Sequence, residues 1–123
     1  MQILVTDAGG SVRNEVVRLL EKQGFRVDTA ESCVATVRRL ARQTYDCLIL
    51  DDALPDGTGL DIFRVLLSPA PHVLLFTAGA LTPMARKETM RMGVEKIFAK
   101  PDQAEDLVAY VIDCCQDVKR EAD

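Results

Sequence analysis

The sequence predicts an α/β fold: a doubly wound sheet of five parallel strands with five helices. Three observations lead there. Short β-rich apolar runs recur at Ile3-Leu4-Val5-Thr6, Cys47-Leu48-Ile49-Leu50, Val73-Leu74-Leu75-Phe76 and Ile97-Phe98-Ala99. Runs of this length between helical patterns read as buried parallel strands. Strand alternates with helix along the chain, which implies right-handed crossovers and a sheet covered on both faces. Each of these runs is also followed by, or ends on, a polar side chain: Asp7, Asp51, Thr77 and Lys100.

The first strand is residues 2–6. A helix follows from about Val12 to Gln23, with Ser11 as its cap and Gly24 as its stop. Val12, Val16, Leu19 and Leu20 share one face of it. Residues 25–29 form a weaker strand of edge character. The second helix runs from about Cys33 to Gln43 and is expected to bury Val34, Val37 and Leu40. The third strand is 46–50. Residues 51–57 are a loop punctuated by Pro55 and Gly57. The third helix, from about Gly59 to Leu67, stops before Pro69, because the residue preceding a proline avoids the α region. The fourth strand is 72–76. Thr82 and Pro83 are the cap and first residue of a fourth helix that ends at Gly93. The fifth strand is 95–98. Asp102 and Glu105 resemble a capping box with Asp in the capping position. The helix they open buries Leu107, Val108, Val111, Ile112 and Cys115, and residues 119–123 read as a charged, frayed tail.

Length and charge narrow the function. A chain of 123 residues suits one domain, 1–123, with a core that needs no staples. A net charge of −4 argues against a nucleic-acid-binding domain, which usually carries a basic face. No apolar run approaches a membrane span. A strand almost at the N-terminus argues against a signal peptide. Cys33, Cys47, Cys114 and Cys115 include no C-x-x-C pair. They read as small buried or half-buried thiols, and a reducing cytoplasm is the simplest compartment.

In an open parallel sheet the functional edge is the carboxyl end of the strands. Asp7, Asp51, Thr77 and Lys100 should therefore meet there. Two acids, a hydroxyl and a lysine make a small site for a cation and a phosphoryl group.

The segments Asp46-Cys47-Leu48-Ile49-Leu50-Asp51, Leu54-Pro55-Asp56-Gly57-Thr58-Gly59-Leu60, Thr77-Ala78 and Lys100-Pro101, in this order, resemble the receiver domain of two-component response regulators. The resemblance covers nearly the whole chain and implies a flavodoxin-like sheet. It implies that Asp51 is the phosphoacceptor, supplied by a sensor histidine kinase or a phosphotransfer protein. Mg²⁺ would be held by Asp7, Asp51 and the backbone carbonyl of Ala53. Thr77 would contact a phosphoryl oxygen. A cis Lys100-Pro101 peptide would turn the Lys100 ammonium into the site. Ala78 and Gly79 are small and leave access open. The signal would leave through the fourth helix, fifth strand and fifth helix to a downstream effector of unknown identity. Such a domain is not an enzyme, and it binds neither nucleic acid nor membrane directly.

The chain departs from the family pattern in two places. Receivers usually carry two adjacent acids after the first strand, whereas Asp7 is followed by Ala8, Gly9 and Gly10. Weakened Mg²⁺ binding is expected. Asp52 reads as a solvated surface acid. The position three before the lysine, often aromatic, is Ile97, and Phe98 alternates to the other face of the strand. Arg86, Lys87, Arg91 and Lys96 form a positive patch, read first as a solvated face and alternatively as a docking face. Met84, Met90 and Met92 are the chief apolar anchors expected in the fourth helix. Two rival readings stay open. One is a degenerate receiver that binds a partner without phosphorylation. The other is a nucleotide- or flavin-binding enzyme, although no G-x-G-x-x-G fingerprint follows a strand. A stand-alone domain and a piece of a longer regulator are equally compatible with the sequence.

Overall fold

In the computed structural model, which describes residues 1–65, 70–79 and 81–122, five parallel strands form one sheet in the order β2-β1-β3-β4-β5. The strands are β1 Gln2–Thr6, β2 Arg26–Ala30, β3 Cys47–Leu50, β4 His72–Thr77 and β5 Lys96–Ala99. The helices are α1 Ser11–Lys22, α2 Cys33–Arg42, α3 Asp61–Val65, α4 Pro83–Met92 and α5 Ala104–Ala122. The order of connection reverses between β1 and β3, and this opens a crevice at the carboxyl edge where the two strands part.

Side chains alternate across the sheet and build two cores. Ile3, Val5, Ile49, Leu74 and Phe98 pack with Val16 and Leu20 of α1 and Leu107 and Val111 of α5. Leu4, Leu48, Leu50 and Leu75 pack on the other face with Ile62 of α3 and, at the rim, Leu40 of α2. The near-continuous apolar runs follow from this, because a central strand is buried on both sides.

Several helix ends differ from expectation. Ser11 is the first residue of α1 rather than its cap, and Gly10 precedes it with no side-chain cap. In α2 the fully buried residue is Thr36, while Val34 is 53% exposed. Thr36 tolerates burial because its hydroxyl donates to the Ser32 carbonyl at 2.7 Å, and Ser32 caps the helix by accepting from Ala35 N–H at 3.0 Å. In α4, Thr82 caps through Ala85 N–H at 3.1 Å with Pro83 at the first position, and Gly93 ends the helix at φ 123°. Two of the three methionines are not anchors: Met84 and Met90 are exposed, Met92 is half-buried, and the fully buried residue is Thr89. At the start of α5 the side-chain link is made by Gln103, whose Oε1 accepts from Ala99 N–H at 2.7 Å. Cys114 is the buried thiol of that helix. The helical backbone continues to Ala122, past the expected fraying point. The expectations for Leu67, Pro69, Asp123 and the Cys115 side chain fall outside the described residues.

Helix α3 begins at Asp61, two residues later than the pattern predicts. The N–H groups of Asp61, Ile62 and Phe63 donate to the carbonyls three residues earlier, so a tight 3₁₀-like turn precedes it. Gly59 lies in that turn, directly against the backbone of Asp51. A Cβ built on Gly59 would lie 2.2 Å from the Asp51 carbonyl oxygen. Gly59→Ala should therefore force the loop off Asp51 and destabilise the domain by about 1–3 kcal/mol. The expected readout is a lower urea midpoint at unchanged slope; a wild-type midpoint would mean that the loop yields without cost.

Candidate functional site

Strands β1, β3 and β5 deliver Asp7, Asp51 and Lys100 to one point at the carboxyl edge. The Lys100 ammonium donates to Asp7 Oδ2 at 2.6 Å and to Asp51 Oδ2 at 2.9 Å. All three side chains are about nine-tenths buried. The ammonium also lies 5.4 Å from the centre of the Phe76 ring, a distance suited to a cation–π contact. The Lys100-Pro101 peptide is cis. The second oxygens of the acids bind local backbone. Asp7 Oδ1 accepts from Gly9 N–H at 3.2 Å, and Asp51 Oδ1 accepts from Ala53 N–H at 3.2 Å.

Thr77, at the end of β4, does not touch Asp51. Its hydroxyl donates to Asp52 Oδ1 at 2.5 Å and accepts from Gly79 N–H at 3.0 Å. The expectation that Asp52 is a solvated surface acid is thus corrected. Asp52 stays close enough to Asp51 to add to the rise in its pKa, and it reaches sideways to β4, where Thr77 donates to it. Gly79 lies against the same pair. A Cβ there would be 3.4 Å from Asp52 Oδ2 and 3.5 Å from the Thr77 hydroxyl. Thr6 is a further contributor that the sequence did not mark. Its buried hydroxyl accepts from Asp51 N–H at 3.2 Å and fixes the backbone that carries the carboxylate.

Asp56 lies away from the pocket but braces it. Its carboxylate accepts from Cys33 N–H at 2.7 Å and Val34 N–H at 3.0 Å, across the first turn of α2. These two backbone bonds hold its carboxyl below the usual carboxylate range. The loop after β3 is therefore tied to α2 at one end and pressed onto Asp51 by Gly59 at the other.

Charge in the pocket is unbalanced, with two carboxylates facing one ammonium. Burial pushes Asp51 above the ordinary aspartate range, and the bonds from Lys100 and Ala53 only partly oppose it. Burial also works against the charged form of Lys100, but the two carboxylates outweigh it and hold the ammonium's pKa above the ordinary lysine value. The pocket is thus short of positive charge. Its anionic groups are carboxylates, whose oxygens are the ligand type that a small hard cation prefers.

A family model described as the response regulator receiver domain matches residues 3–112. The chain belongs to the response-regulator receiver family. It is 31% identical over 119 residues to the transcriptional regulatory protein CreB of Escherichia coli K12, covering 95% of this chain and 51% of that protein. It thus spans about half the length of that relative. Its fold is similar to a CheY-like receiver domain from Methanospirillum hungatei, with a TM-score of 0.84 at 18% identity over 98% of this chain and 97% of the other. It is also similar to a Burkholderia pseudomallei response regulator whose structure contains a phosphorylated aspartic acid, a calcium ion and citrate. There the TM-score is 0.79 at 21% identity over 98% of this chain and 72% of the other. Receivers are generally signalling domains, and the five-stranded parallel sheet seen here is theirs.

In this receiver the raised pKa of Asp51 sets the sign of a pH effect. A carboxyl whose folded pKa exceeds its unfolded value, about 3.9, contributes stability below that value and loses it as pH rises through the folded pKa. Asp51→Asn cannot ionise. Its stability relative to wild type should therefore climb from about pH 4 upward and level off above the Asp51 pKa. Urea midpoints across that range test this, and parallel curves for the two proteins would contradict it. Lys100 acts at the alkaline end: its contribution is complete below about pH 10.4 and is lost as pH rises through its raised folded pKa.

Proposed function

We propose that residues 1–123 form one receiver domain of a two-component phosphorelay that accepts a phosphoryl group on Asp51. The observation that carries this reading is Lys100, whose ammonium bridges Asp7 and Asp51 at the carboxyl edge. The donor is a phosphohistidine of a sensor kinase or phosphotransfer protein. An Asp51 oxygen attacks phosphorus, an O–P bond forms, and the P–N bond breaks with its electron pair leaving on the imidazole. A carboxylate approaching an anionic phosphoryl group must overcome repulsion, so positioning and positive charge carry most of the catalysis. Thr6 and Ala53 fix the Asp51 carboxylate from behind. Lys100 supplies a positive charge beside the attacking oxygen, and small, exposed Ala78 and Gly79 leave the approach open.

Asp7, Asp51 and the Ala53 carbonyl would hold Mg²⁺, which when bound neutralises charge between the carboxylate and the phosphoryl oxygens. The absence of an acid at position 8 leaves this chain with one carboxylate fewer than the usual pocket. Exposed Ala8 has room for one. The compartment proposed is the cytoplasm; among the described residues no helix is long and apolar enough to cross a membrane.

Thr77 is the proposed switch. Its single hydroxyl proton now goes to Asp52, and a phosphoryl oxygen on Asp51 would compete for it. A threonine that changes acceptor pulls on Gly79 and on the start of α4. The output face proposed is α4, β5 and α5. Ile97 and Phe98 line a cleft there with Leu81 and Arg86, and Phe98 is otherwise buried in the core beneath α1 and α5. An unidentified effector protein or domain would read this face.

The deciding experiment is the intact mass after incubation with a small phosphodonor and Mg²⁺. One phosphoryl group should be gained by wild type and none by Asp51→Asn. No gain with either a small donor or a phosphorylated kinase domain would sink the reading and leave a phosphorylation-independent interaction module. Ala8→Asp should tighten Mg²⁺ about ten-fold by calorimetric titration, the effect expected of one added oxygen ligand with its charge. An unchanged affinity would show that Asp7 or water already fills that role. Thr77→Ala should still be phosphorylated, yet hydrogen exchange across residues 81–97 should no longer respond. A wild-type exchange response in the variant would remove Thr77 from the switch.

A further inference from the structure

The opposite edge of the sheet, where the strands begin, carries a second cluster of chemical groups. His72 opens β4, Glu95 directly precedes β5, and Cys114 comes from α5. His72 Nδ1 lies 2.9 Å from Glu95 Oε1, and the Cys114 thiol donates to Glu95 Oε2 at 3.9 Å. One nitrogen, one oxygen and one sulfur ligand atom thus lie within 4.8 Å of one another. The Tyr110 hydroxyl also donates to Glu95 Oε2. None of these residues takes part in the phosphoryl site.

We propose that His72, Glu95 and Cys114 form a binding site for a borderline transition-metal ion, with Zn²⁺ as the chemical type. The donor set selects the metal. A thiolate is too soft for Mg²⁺ or Ca²⁺, whereas mixed imidazole, carboxylate and thiolate ligands suit zinc. Charge agrees, because a thiolate and a carboxylate together neutralise a divalent ion in this half-buried position. Zinc needs bonds of about 2.0–2.3 Å, which places tetrahedral ligands roughly 3.3–3.8 Å apart. The His72–Glu95 pair already lies near that spacing, and the thiol must move in by roughly 1 Å. Tyr110 supplies the outer hydrogen bond that orients a ligating carboxylate. Three protein ligands leave the fourth position to water or a partner's side chain, reached from the half-buried His72 and Glu95 side.

The backbone explains why the three groups meet. Parallel strands β4 and β5 are neighbours, and Glu95 N–H donates to the Val73 carbonyl at 2.8 Å, so their first side chains share an edge. Leu107, Val111 and Cys114 form one face of α5, and its first two members are fully buried against the sheet. The same face, followed along the helix, brings the thiol over the edge. Tyr110 is steadied by edge-to-face packing on Phe98, with ring centres 5.8 Å apart.

The test is titration of the metal-free chain with Co²⁺ in saturating Mg²⁺, which occupies the acidic pocket at the far edge. One Co²⁺ per chain should bind and give a thiolate-to-cobalt charge-transfer band that Zn²⁺ displaces. Cys114→Ser should abolish the band, while Cys33→Ser should keep it. Tyr110→Phe retains the ring and should weaken Co²⁺ about ten-fold, as loss of an outer hydrogen bond does. No band in wild type, or a band that survives Cys114→Ser, would overturn the proposal. If Cys114→Ser fails to fold by circular dichroism, His72→Asn at its half-exposed position decides instead. Unchanged affinity in that variant would equally overturn the site.

Discussion

The ammonium of Lys100 faces two carboxylates that arrive from positions 93 and 49 residues away in the chain. Everything at the carboxyl edge is arranged around that meeting. Sheet order makes it possible, because β1, β3, β4 and β5 lie side by side and parallel, with their carboxyl ends along one edge. The lysine crosses the end of β4 and rests over Phe76 to reach both acids. The arrangement is not a stability device. Burial raises the pKa of Asp51 more than Lys100 and the Ala53 N–H lower it, so its charged form is held at a cost. Perturbed titration of this kind concentrates at functional sites, where a group is held against its own preference.

The part of this site that follows the strand pattern was legible in the sequence. An apolar run and the polar residue after it locate a strand end, and the parallel sheet does the rest. What escaped depended on lateral neighbours. Asp52 looked outward because it stands next to Asp51, yet its partner Thr77 comes from the adjacent strand 25 residues on. Thr6 read as strand filler, although its hydroxyl holds Asp51 N–H. Helix phase failed for a related reason. An apolar count favoured Val34 in α2, but Thr36 took the buried place because the Ser32 carbonyl satisfies its hydroxyl. Gln103 rather than Asp102 serves the start of α5, because a longer side chain reaches back to Ala99 N–H. In each case a polar residue found a specific partner that periodicity does not encode.

Rigidity around Asp51 is uneven, and this bears on what can move. The loop after β3 is fixed from two sides. Asp56 binds the first turn of α2, and Gly59 touches the Asp51 carbonyl so closely that no side chain fits. The loop after β1 is open: a Cβ on Gly9 or Gly10 would meet nothing within 4 Å, although both have positive φ. The backbone after Asp7 is thus less hemmed in than the backbone after Asp51. Under the proposed function a firmly held Asp51 is an advantage, since positional error at the attacking oxygen is costly.

On the other side of the site, α4 is well formed but shallowly held. Thr82 with Pro83 begins it and Gly93 closes it, so its ends are defined by local chemistry. Its fully buried side chain is Thr89, whose hydroxyl bonds back to the Ala85 carbonyl within the helix itself. Such a helix can shift as a unit with little loss of packing. Under the proposed function, the coupling to it comes down to one proton. The Thr77 hydroxyl can donate to a single acceptor at a time, and Asp52 holds it now. A phosphoryl group on Asp51 would offer a second acceptor nearby and a negative charge that disfavours Asp52 in its present place. The two acceptors are mutually exclusive, so the hydroxyl defines two states rather than a continuum. A phosphoryl group can bias that equilibrium only by how differently it contacts the two states. The Gly79 N–H bond to the same hydroxyl carries the difference into the loop that leads to α4.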